Sequence, residues 1–299
     1  MNTSIAAATP REPQAPTLIA SYFTLAGNIK PLEGLVVSPL PFRARAQAAG
    51  RAGFNGFGFE LTDLDHILTH TTPAEVRAIL DDNGLNVVEI EVLLDWFLTD
   101  ERRIASDLAR RRMLELAGAL GARHIKVGSD LTGSPWPMAA IGDAFAALCD
   151  EAAAVGTRVG IELLPVATLA TLEQGVDVVR HAGRANGGLV IDIWHMTRGQ
   201  VDFASIARLT PQMITHVELN DGPATPVRSF FEETICCREL CGEGAFDIEG
   251  FLGAIAATGY DGTFGIELLS DAHRLRDVDT AAERAAATAR HCMERWYRR

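Results

Sequence analysis

The pentapeptide Gly-Ile-Glu-Leu-Leu occurs twice in the chain, at residues 160–164 and 265–269. Each copy carries one acidic residue, Glu162 or Glu267, inside a short apolar run. A carboxylate buried in such surroundings must shift its pKa, find a charged partner or bind a metal ion. Two carboxylates in matching contexts indicate two equivalent elements of one scaffold that face a common site. The chemistry of the protein is therefore expected at this pair.

Two more acidic residues occupy comparable runs between these copies. Asp192 ends the run Gly-Gly-Leu-Val-Ile-Asp, and Glu218 lies within Ile-Thr-His-Val-Glu-Leu. In both segments one face of the predicted strand is wholly or largely apolar and the other face carries the carboxylate, as expected of a strand covered by helices on one side. Asp192 also begins an Asp-x-x-His pattern, which places the imidazole of His195 just above the carboxylates.

These acidic residues belong to a series of eight short β-like runs separated by segments with helical spacing. The predicted strands are 18–25, 56–61, 86–93, 123–128, 158–164, 188–195, 214–221 and 263–269. Helical spacing is clearest at 104–120, 141–155 and 248–258. Glycines expected to end helices just before strands are Gly53, Gly84, Gly121, Gly156 and Gly259. Strands that alternate with helices predict a parallel sheet.

Eight such units in about 280 residues predict an α/β fold, a single-domain (β/α)8 TIM barrel over residues 17–299. Residues 1–16, rich in alanine, proline and polar residues, are predicted to form a disordered tail. A Rossmann fold would need a glycine-rich phosphate-binding turn after its first strand, and the sequence has none there. Because active sites of barrels lie at the C-terminal ends of the strands, the four carboxylates are expected to share one cavity.

A cavity with four carboxylates predicts a metal ion. The four cannot all ionise unless a cation offsets their charge. An all-oxygen ligand set favours a hard divalent ion, so we expect one Mn²⁺ or Mg²⁺ ion. The alternative for any one of these residues is an interior salt bridge, for example with Lys126 or an arginine. Strand alternation also points the following residues into the barrel: Glu60, Glu89, Glu91, His124 and Lys126.

Composition narrows the class of partner. The formal net charge of -12 argues against binding to a nucleic-acid backbone. No stretch approaches the roughly 20 apolar residues of a membrane span, and the N-terminus lacks a signal-peptide pattern. An odd number of cysteines, 5, fits a cytoplasmic protein with reduced thiols. The local cluster of Cys236, Cys237 and Cys241 is interpreted as reduced thiols in a loop rather than as a zinc site.

Several stretches of the chain resemble the xylose isomerase-like TIM-barrel superfamily, which includes sugar phosphate isomerases and epimerases. They are GIELLP at 160–165, GGLVIDIWHMTRG at 187–199, HVELNDGP at 216–223, CGEGAFDIEGFLGAI at 241–255 and GYDGTFGIELLS at 259–270. The resemblance covers residues 17–295 and is specific for the superfamily rather than for one reaction. Relatives bind one divalent metal through residues of strands five to eight, which implies the ligands Glu162, Asp192, Glu218 and Glu267.

Strand seven departs from the commonest pattern of the superfamily. Many relatives have a metal-binding histidine where this chain has Glu218. His216, two residues earlier on the same face, ranks second as the ligand because it lies one layer deeper. The 3-dehydroshikimate dehydratases look similar in this region, with a glutamine at the position and a comparable Gly-Glu-Gly segment. The departure weakens an epimerase assignment and disfavours zinc, because the site is harder and more anionic.

The resemblance implies a metal-dependent isomerase or epimerase that acts on a sugar or keto-polyol in carbohydrate metabolism. The metal would stabilise an enediolate while Glu162 and Glu267 remove and return the proton. His195 would hydrogen-bond a substrate oxygen or protonate a leaving hydroxyl. Further substrate contacts are expected from Arg198, Arg238, Glu60, Glu91, Lys126 and Trp96.

Two other functions stay open at this point. One is a lyase that dehydrates 3-dehydroshikimate or an inosose, from which a hydroxide leaves. The other is a non-catalytic accessory barrel that binds a sugar or a partner subunit. The expected partner is a small polyol or sugar rather than nucleic acid or a membrane, and a homo-oligomer is left open. The sequence does not identify the substrate.

Overall fold

Eight parallel strands close into a barrel in which each strand pairs with its neighbours in the sequence and β8 pairs with β1. The structure is a computed structural model that describes residues 16–34 and 36–297. The strands are β1 (Thr17–Ala20), β2 (Gly56–Glu60), β3 (Val87–Leu93), β4 (His124–Val127), β5 (Arg158–Glu162), β6 (Gly187–Asp192), β7 (Ile214–Leu219) and β8 (Thr263–Ile266). The predicted single-domain (β/α)8 barrel is confirmed, whereas residues 1–15 of the predicted tail lie outside the described residues.

Helices follow the strands and cover the outside of the barrel. They are α1 (Tyr22–Leu25), α2 (Phe42–Ala52), α3 (Leu61–Ile67), α4 (Pro73–Asp82), α5 (Arg102–Leu120), α6 (Met138–Ala154), α7 (Leu172–Ala182), α8 (Ile193–Arg198), α9 (Phe203–Ile206), α10 (Phe230–Cys236), α11 (Ile248–Ala257) and α12 (Val278–Tyr297). Short 3₁₀ turns occupy Pro211–Met213 and His273–Leu275. Gly53 and Gly121 end α2 and α5 with positive φ angles of 82° and 63°, as predicted for left-handed C-caps.

Most of the strands end earlier than the sequence predicts, and after β6 and β1 the chain continues as a helix. After β6, the side chain of Asp192 accepts a hydrogen bond from the backbone N–H of Trp194 and so starts α8. After β1, the hydroxyl of Thr24 in α1 donates to the carbonyl of Ile266 and accepts from the N–H of Leu268. These two side-chain bonds replace strand-to-strand hydrogen bonds, so the apolar run beyond Ala20 need not be extended.

The two faces of each strand have opposite character. The outward residues of β5 and β8, such as Val159, Ile161 and Phe264, are buried under the helices. The inward positions combine charged side chains with glycines, which make room for them. A side chain at Gly58 would meet Glu89 Oε1 at 2.7 Å, and one at Gly265 would meet His216 and Ser21. The missing Cβ atoms therefore allow large polar groups to fill the interior of the barrel.

Among the described residues, no helix is both long enough and apolar enough to cross a membrane.

Replacing one of the inward glycines should destabilise the barrel. In Gly160→Ala the added Cβ would lie 2.8 Å from Val190 Cγ2 and 3.2 Å from Thr215 Cγ2. We expect the free energy of unfolding to fall by about 1–3 kcal/mol because of overpacking, measured by urea denaturation.

The matched control is Gly118→Ala inside α5, where the nearest atom is Val155 Cβ at 3.3 Å, on a side chain that is 37% exposed and can move. Alanine is favoured over glycine in a helix interior by about 0.5–1 kcal/mol, so this variant should be neutral or more stable. Equal losses in the two variants would contradict the role given to Gly160.

Candidate metal centre and active site

Four carboxylates meet at the C-terminal ends of β5 to β8. Glu162 and Asp192 are the last residues of β5 and β6, Glu218 lies in β7, and Glu267 follows β8 directly. One oxygen from each of the four lies within 4.8 Å of the others, and all four side chains are buried. We call these four residues the carboxylate cluster. His216 lies one layer deeper and does not belong to this group of four.

Lys126 of β4 places its ammonium group among these carboxylates. The distance from Nζ is 2.7 Å to both Glu218 Oε1 and Glu267 Oε1, 2.5 Å to Glu91 Oε2 and 4.0 Å to Glu162 Oε2. Although burial disfavours the charge, Glu162 and the neighbouring glutamates hold the pKa of Lys126 well above its ordinary value. The interior ion pairs that the sequence left open as an alternative are thus present.

A second buried cation, Arg238, closes the other side of the cluster. Its Nη1 lies 2.9 Å from Asp192 Oδ2 and 2.7 Å from Glu267 Oε2, and the guanidinium stacks over the Trp194 ring. Burial opposes its charge, but Asp192 and Glu267 raise the pKa of Arg238 above its ordinary value. Both oxygens of Glu267 are therefore occupied by cations, Oε1 by Lys126 and Oε2 by Arg238.

The negative charge of this region exceeds the charge of its two permanent cations. Six buried carboxylates lie in and beside the cluster: Glu89, Glu91, Glu162, Asp192, Glu218 and Glu267. Against Lys126 and Arg238 this leaves an excess of four when all six ionise, because six minus two is four. Burial raises the pKa of Glu91 to about 8 and that of Glu218 well above its usual range. Protonation of these two lowers the excess to two.

The donor set fits a hard divalent ion. It offers four carboxylate oxygens, and Glu218 Oε2 is a buried oxygen without a hydrogen-bond partner among the described residues. Hard divalent ions prefer such all-oxygen surroundings, and their charge would offset the excess negative charge. The residues that would hold the ion are the four members of the carboxylate cluster.

His195 of α8 stands beside two members of the cluster. Its Nε2 lies 3.3 Å from Glu162 Oε1 and 3.5 Å from Asp192 Oδ2, and its side chain is buried. This position follows from the Asp-x-x-His spacing. Asp192 caps the start of α8, so His195 lies in the first turn of that helix, directly above the strand ends. Despite burial, Lys126 and the hydrogen bond from His195 lower the pKa of Glu162 to about 2.

The other residues expected to contact substrate lie in different surroundings. Glu91 pairs with Lys126 and accepts the Tyr22 N–H, next to the cluster. Glu60 caps α3 by accepting from the N–H groups of Thr62 and Asp63. Trp96 is buried in the core and donates its indole N–H to the carbonyl of Gly128.

Arg198 is held by contacts with other parts of the protein. It forms an ion pair with the buried Glu233 at 2.8 Å, donates to the carbonyl of Pro223 and stacks over Trp194 and Phe246. These contacts fix the long segment after β7 to α8. The cysteines at 236, 237 and 241 are free thiols, and no candidate metal group in the described residues includes a cysteine.

Sequence reasoning gave no role to one residue that orients the cluster. Asn220, fully buried just after β7, donates its side-chain N–H to Asp192 Oδ1 at 2.9 Å. With the Trp194 N–H and Arg238, it fixes both oxygens of Asp192. The available signal was the alternation of β7, which puts Asn220 on the same face as His216 and Glu218.

Comparison with curated proteins finds enzymes of two reaction types. A 3-dehydroshikimate dehydratase of Pseudomonas aeruginosa is 32% identical over 241 residues, which are 79% of this chain and 37% of that protein. An inosose isomerase of Bacillus velezensis is 28% identical over 149 residues, covering 49% of this chain and 51% of that protein. The chain thus spans well under half the length of the dehydratase that it matches.

Among solved structures, that of the IOLI protein with a zinc atom superimposes with a TM-score of 0.83 and 18% identity, over 94% of this chain and 99% of that one. At this identity the similarity establishes the fold alone. Residues 46–296 match the family described as xylose isomerase-like TIM barrel. Because this match spans most of the sequence, the chain belongs to the xylose isomerase-like TIM-barrel family.

Proposed function

We propose that the protein is a divalent-metal-dependent lyase that removes water from a small cyclic keto-polyol or a related acid of the 3-dehydroshikimate type. The observation that carries the proposal is the pairing of Glu162 and His195 at the edge of a carboxylate cluster that fits a metal ion. A bound Mg²⁺ or Mn²⁺ ion would supply Lewis acidity, which draws electrons from a substrate carbonyl and acidifies the neighbouring C–H bond.

Glu162 is the residue best placed to take the proton from carbon, because its lowered pKa keeps the carboxylate ionised and able to accept a proton. Glu162 is the most exposed residue of the cluster, at 7% against 0–4% for the others. The nearest ammonium or guanidinium group to Glu162, that of Lys126, is 4.0 Å away, whereas each oxygen of Glu267 has such a group at 2.7 Å. Two such ion pairs hold both oxygens of Glu267 in a fixed position. Glu267 therefore serves as a ligand that is oriented by Lys126 and Arg238.

His195 is placed to protonate the hydroxide that leaves. Its Nε2 is 3.3 Å from Glu162 Oε1, so the base and the acid act from the same side of a substrate bound above them. This arrangement favours a syn elimination, in which the proton and the hydroxide depart from one face. Epimerisation would instead need a second base across the site, and the ion pairs of Glu267 disfavour that role.

Isomerisation or epimerisation is the second candidate. It would begin with the same proton removal by Glu162, but the proton would return to the neighbouring carbon or to the opposite face. The similarity to inosose isomerases favours this outcome over part of the chain, whereas the similarity to the dehydratase extends over 79% of the chain. The difference in coverage is the reason for ranking dehydration first.

Product masses distinguish the two reactions. We expect the purified protein, supplied with Mn²⁺ or Mg²⁺, to convert 3-dehydroshikimate or an inosose into a product lighter by one water. A panel of ketoses serves as the comparison, analysed by mass spectrometry. A product of unchanged mass would instead support isomerisation. No turnover of any compound by the metal-loaded protein would favour an accessory sugar-binding role.

The two glutamates should respond differently to neutralisation. Glu162→Gln should lower kcat by at least about 100-fold through loss of the base, with metal still bound. Glu267→Gln should chiefly weaken metal binding, by about 10-fold or more, and recover activity as the metal concentration rises. Both are measured by turnover together with metal titration.

The control for this pair is Glu173→Gln, an exposed glutamate in the first turn of α7, which should change neither quantity. Near-normal kcat in metal-loaded Glu162→Gln would show that another residue is the base.

The residue at 218 should determine the metal preference. Glu218→Ala should weaken metal binding by about 10-fold or more through loss of a coordinating oxygen, and Glu218→His should shift the preference toward Co²⁺ or Zn²⁺ because nitrogen donors favour these ions. Calorimetric titration with Mn²⁺, Mg²⁺, Co²⁺ and Zn²⁺ measures both effects. Unchanged Mn²⁺ affinity in Glu218→Ala would remove this residue from the set of ligands.

A further inference from the structure

A second group of potential ligands lies inside the barrel, one layer below the carboxylate cluster. It consists of Glu89 of β3, His124 of β4 and His216 of β7, all three fully buried. Ligand atoms of the three residues lie within 4.8 Å of one another. We call this group the lower site. The proposed reaction makes no use of it.

The spacing of the lower site is that of metal ligands. Glu89 Oε2 lies 3.0 Å from His124 Nε2, with which it forms a hydrogen bond that a metal ion would replace, and 3.3 Å from His216 Nε2. Ligand atoms around a tetrahedral ion with bonds of about 2.0–2.1 Å are separated by about 3.3 Å. The two imidazole rings face each other with centroids 4.6 Å apart. A small ion can therefore be bound with little movement of these side chains.

The hydrogen bonds of His216 leave one nitrogen without a partner. Nδ1 lies 2.8 Å from Thr263 Oγ1, and when Nδ1 donates its hydrogen to this hydroxyl, Nε2 carries a lone pair. Nε2 faces Glu89 Oε2 but forms no hydrogen bond with it, and Nε2 has no other partner among the described residues. In that tautomer two lone pairs face each other in a dry interior, and they repel unless a cation lies between them.

Further polar atoms around the lower site are also unsatisfied. Glu89 Oε1 and Ser21 Oγ are buried and have no hydrogen-bond partner within the described part of the chain. A side chain at Gly58 would meet Glu89 Oε1, and one at Gly265 would meet both Ser21 Oγ and His216 Nε2. The glycines thus keep this space open.

We propose that Glu89, His124 and His216 form a second metal site, which holds a Zn²⁺-type transition-metal ion beneath the carboxylate cluster. Two imidazoles and one carboxylate are borderline donors that select Zn²⁺ or Co²⁺ over Mg²⁺, in contrast to the all-oxygen cluster above. Ser21 Oγ, or a water in its place, would be the fourth ligand. The ion would link β3, β4 and β7 across the barrel, and its role would be structural.

Cobalt provides a probe that distinguishes the two sites. Because the lower site is sealed from solvent, Co²⁺ is supplied during biosynthesis, and the protein is purified without chelators. We expect two Co²⁺ ions per chain by elemental analysis. One should give the intense visible absorption of a four-coordinate site with nitrogen ligands, and X-ray absorption should detect imidazole donors. One ion per chain with oxygen ligands only would overturn the proposal.

Two variants separate this result from the proposed function. Glu267→Gln should lower the content toward one ion and keep the intense absorption, whereas His216→Gln should lose that absorption and retain the weakly absorbing ion. Because a variant in the core can fail to fold, the folding of His216→Gln is checked by circular dichroism. If this variant does not fold, the visible absorption of the unaltered cobalt-loaded protein alone decides. Intense absorption that survives in folded His216→Gln would also overturn the proposal. Failure of the carboxylate cluster to bind metal would leave the absorption unaffected.

Discussion

An excess of negative charge enclosed in a closed barrel is the constraint on which this structure depends. Lys126 of β4 offsets part of this charge by contacting carboxylates of β3, of β7 and of the residue directly after β8, at 2.5–2.7 Å. Arg238 answers it from the segment after β7 by joining Asp192 to Glu267. Removal of either partner from such a buried pair leaves an uncompensated charge, which costs about 3–5 kcal/mol. The geometry of the cluster and the stability of the barrel therefore depend on the same contacts.

The barrel can fold with this buried charge because the two faces of its strands have different roles. Outward residues such as Val159 and Ile266 are buried under helices and supply the apolar core. Inward glycines leave space for long charged side chains. In most barrels of this type, valine, isoleucine and leucine fill the corresponding interior. The interior consequently contains two polar layers, the carboxylate cluster at the strand ends and the lower site beneath it. The different donors of the two layers give them different chemistry.

Much of this organisation follows from local sequence. The period of two in the strands pointed Glu89, Glu91, His124 and Lys126 inward, and the glycines at 53 and 121 marked helix ends correctly. The end of β1 was not predictable, because Thr24 bonds to residues 266 and 268, far along the chain. The same holds for Arg198, whose partner Glu233 is brought near only by folding. Local sequence patterns show which face of a strand a residue occupies. The partners of side chains such as Thr24 and Arg198 depend on which distant segments the closed barrel brings together.

The ammonium group of Lys126 occupies the middle of the carboxylates and is attached to the barrel by a flexible chain of four methylenes. It serves as a counterion that the polypeptide brings with it. Folding around the carboxylate cluster therefore does not require a bound metal ion, unlike the folding of a zinc finger. Binding of a metal ion would then be an exchange reaction, in which the ion competes with a tethered cation for the same oxygens. Selectivity among metal ions would then depend partly on how easily the Lys126 ammonium group is displaced from these oxygens.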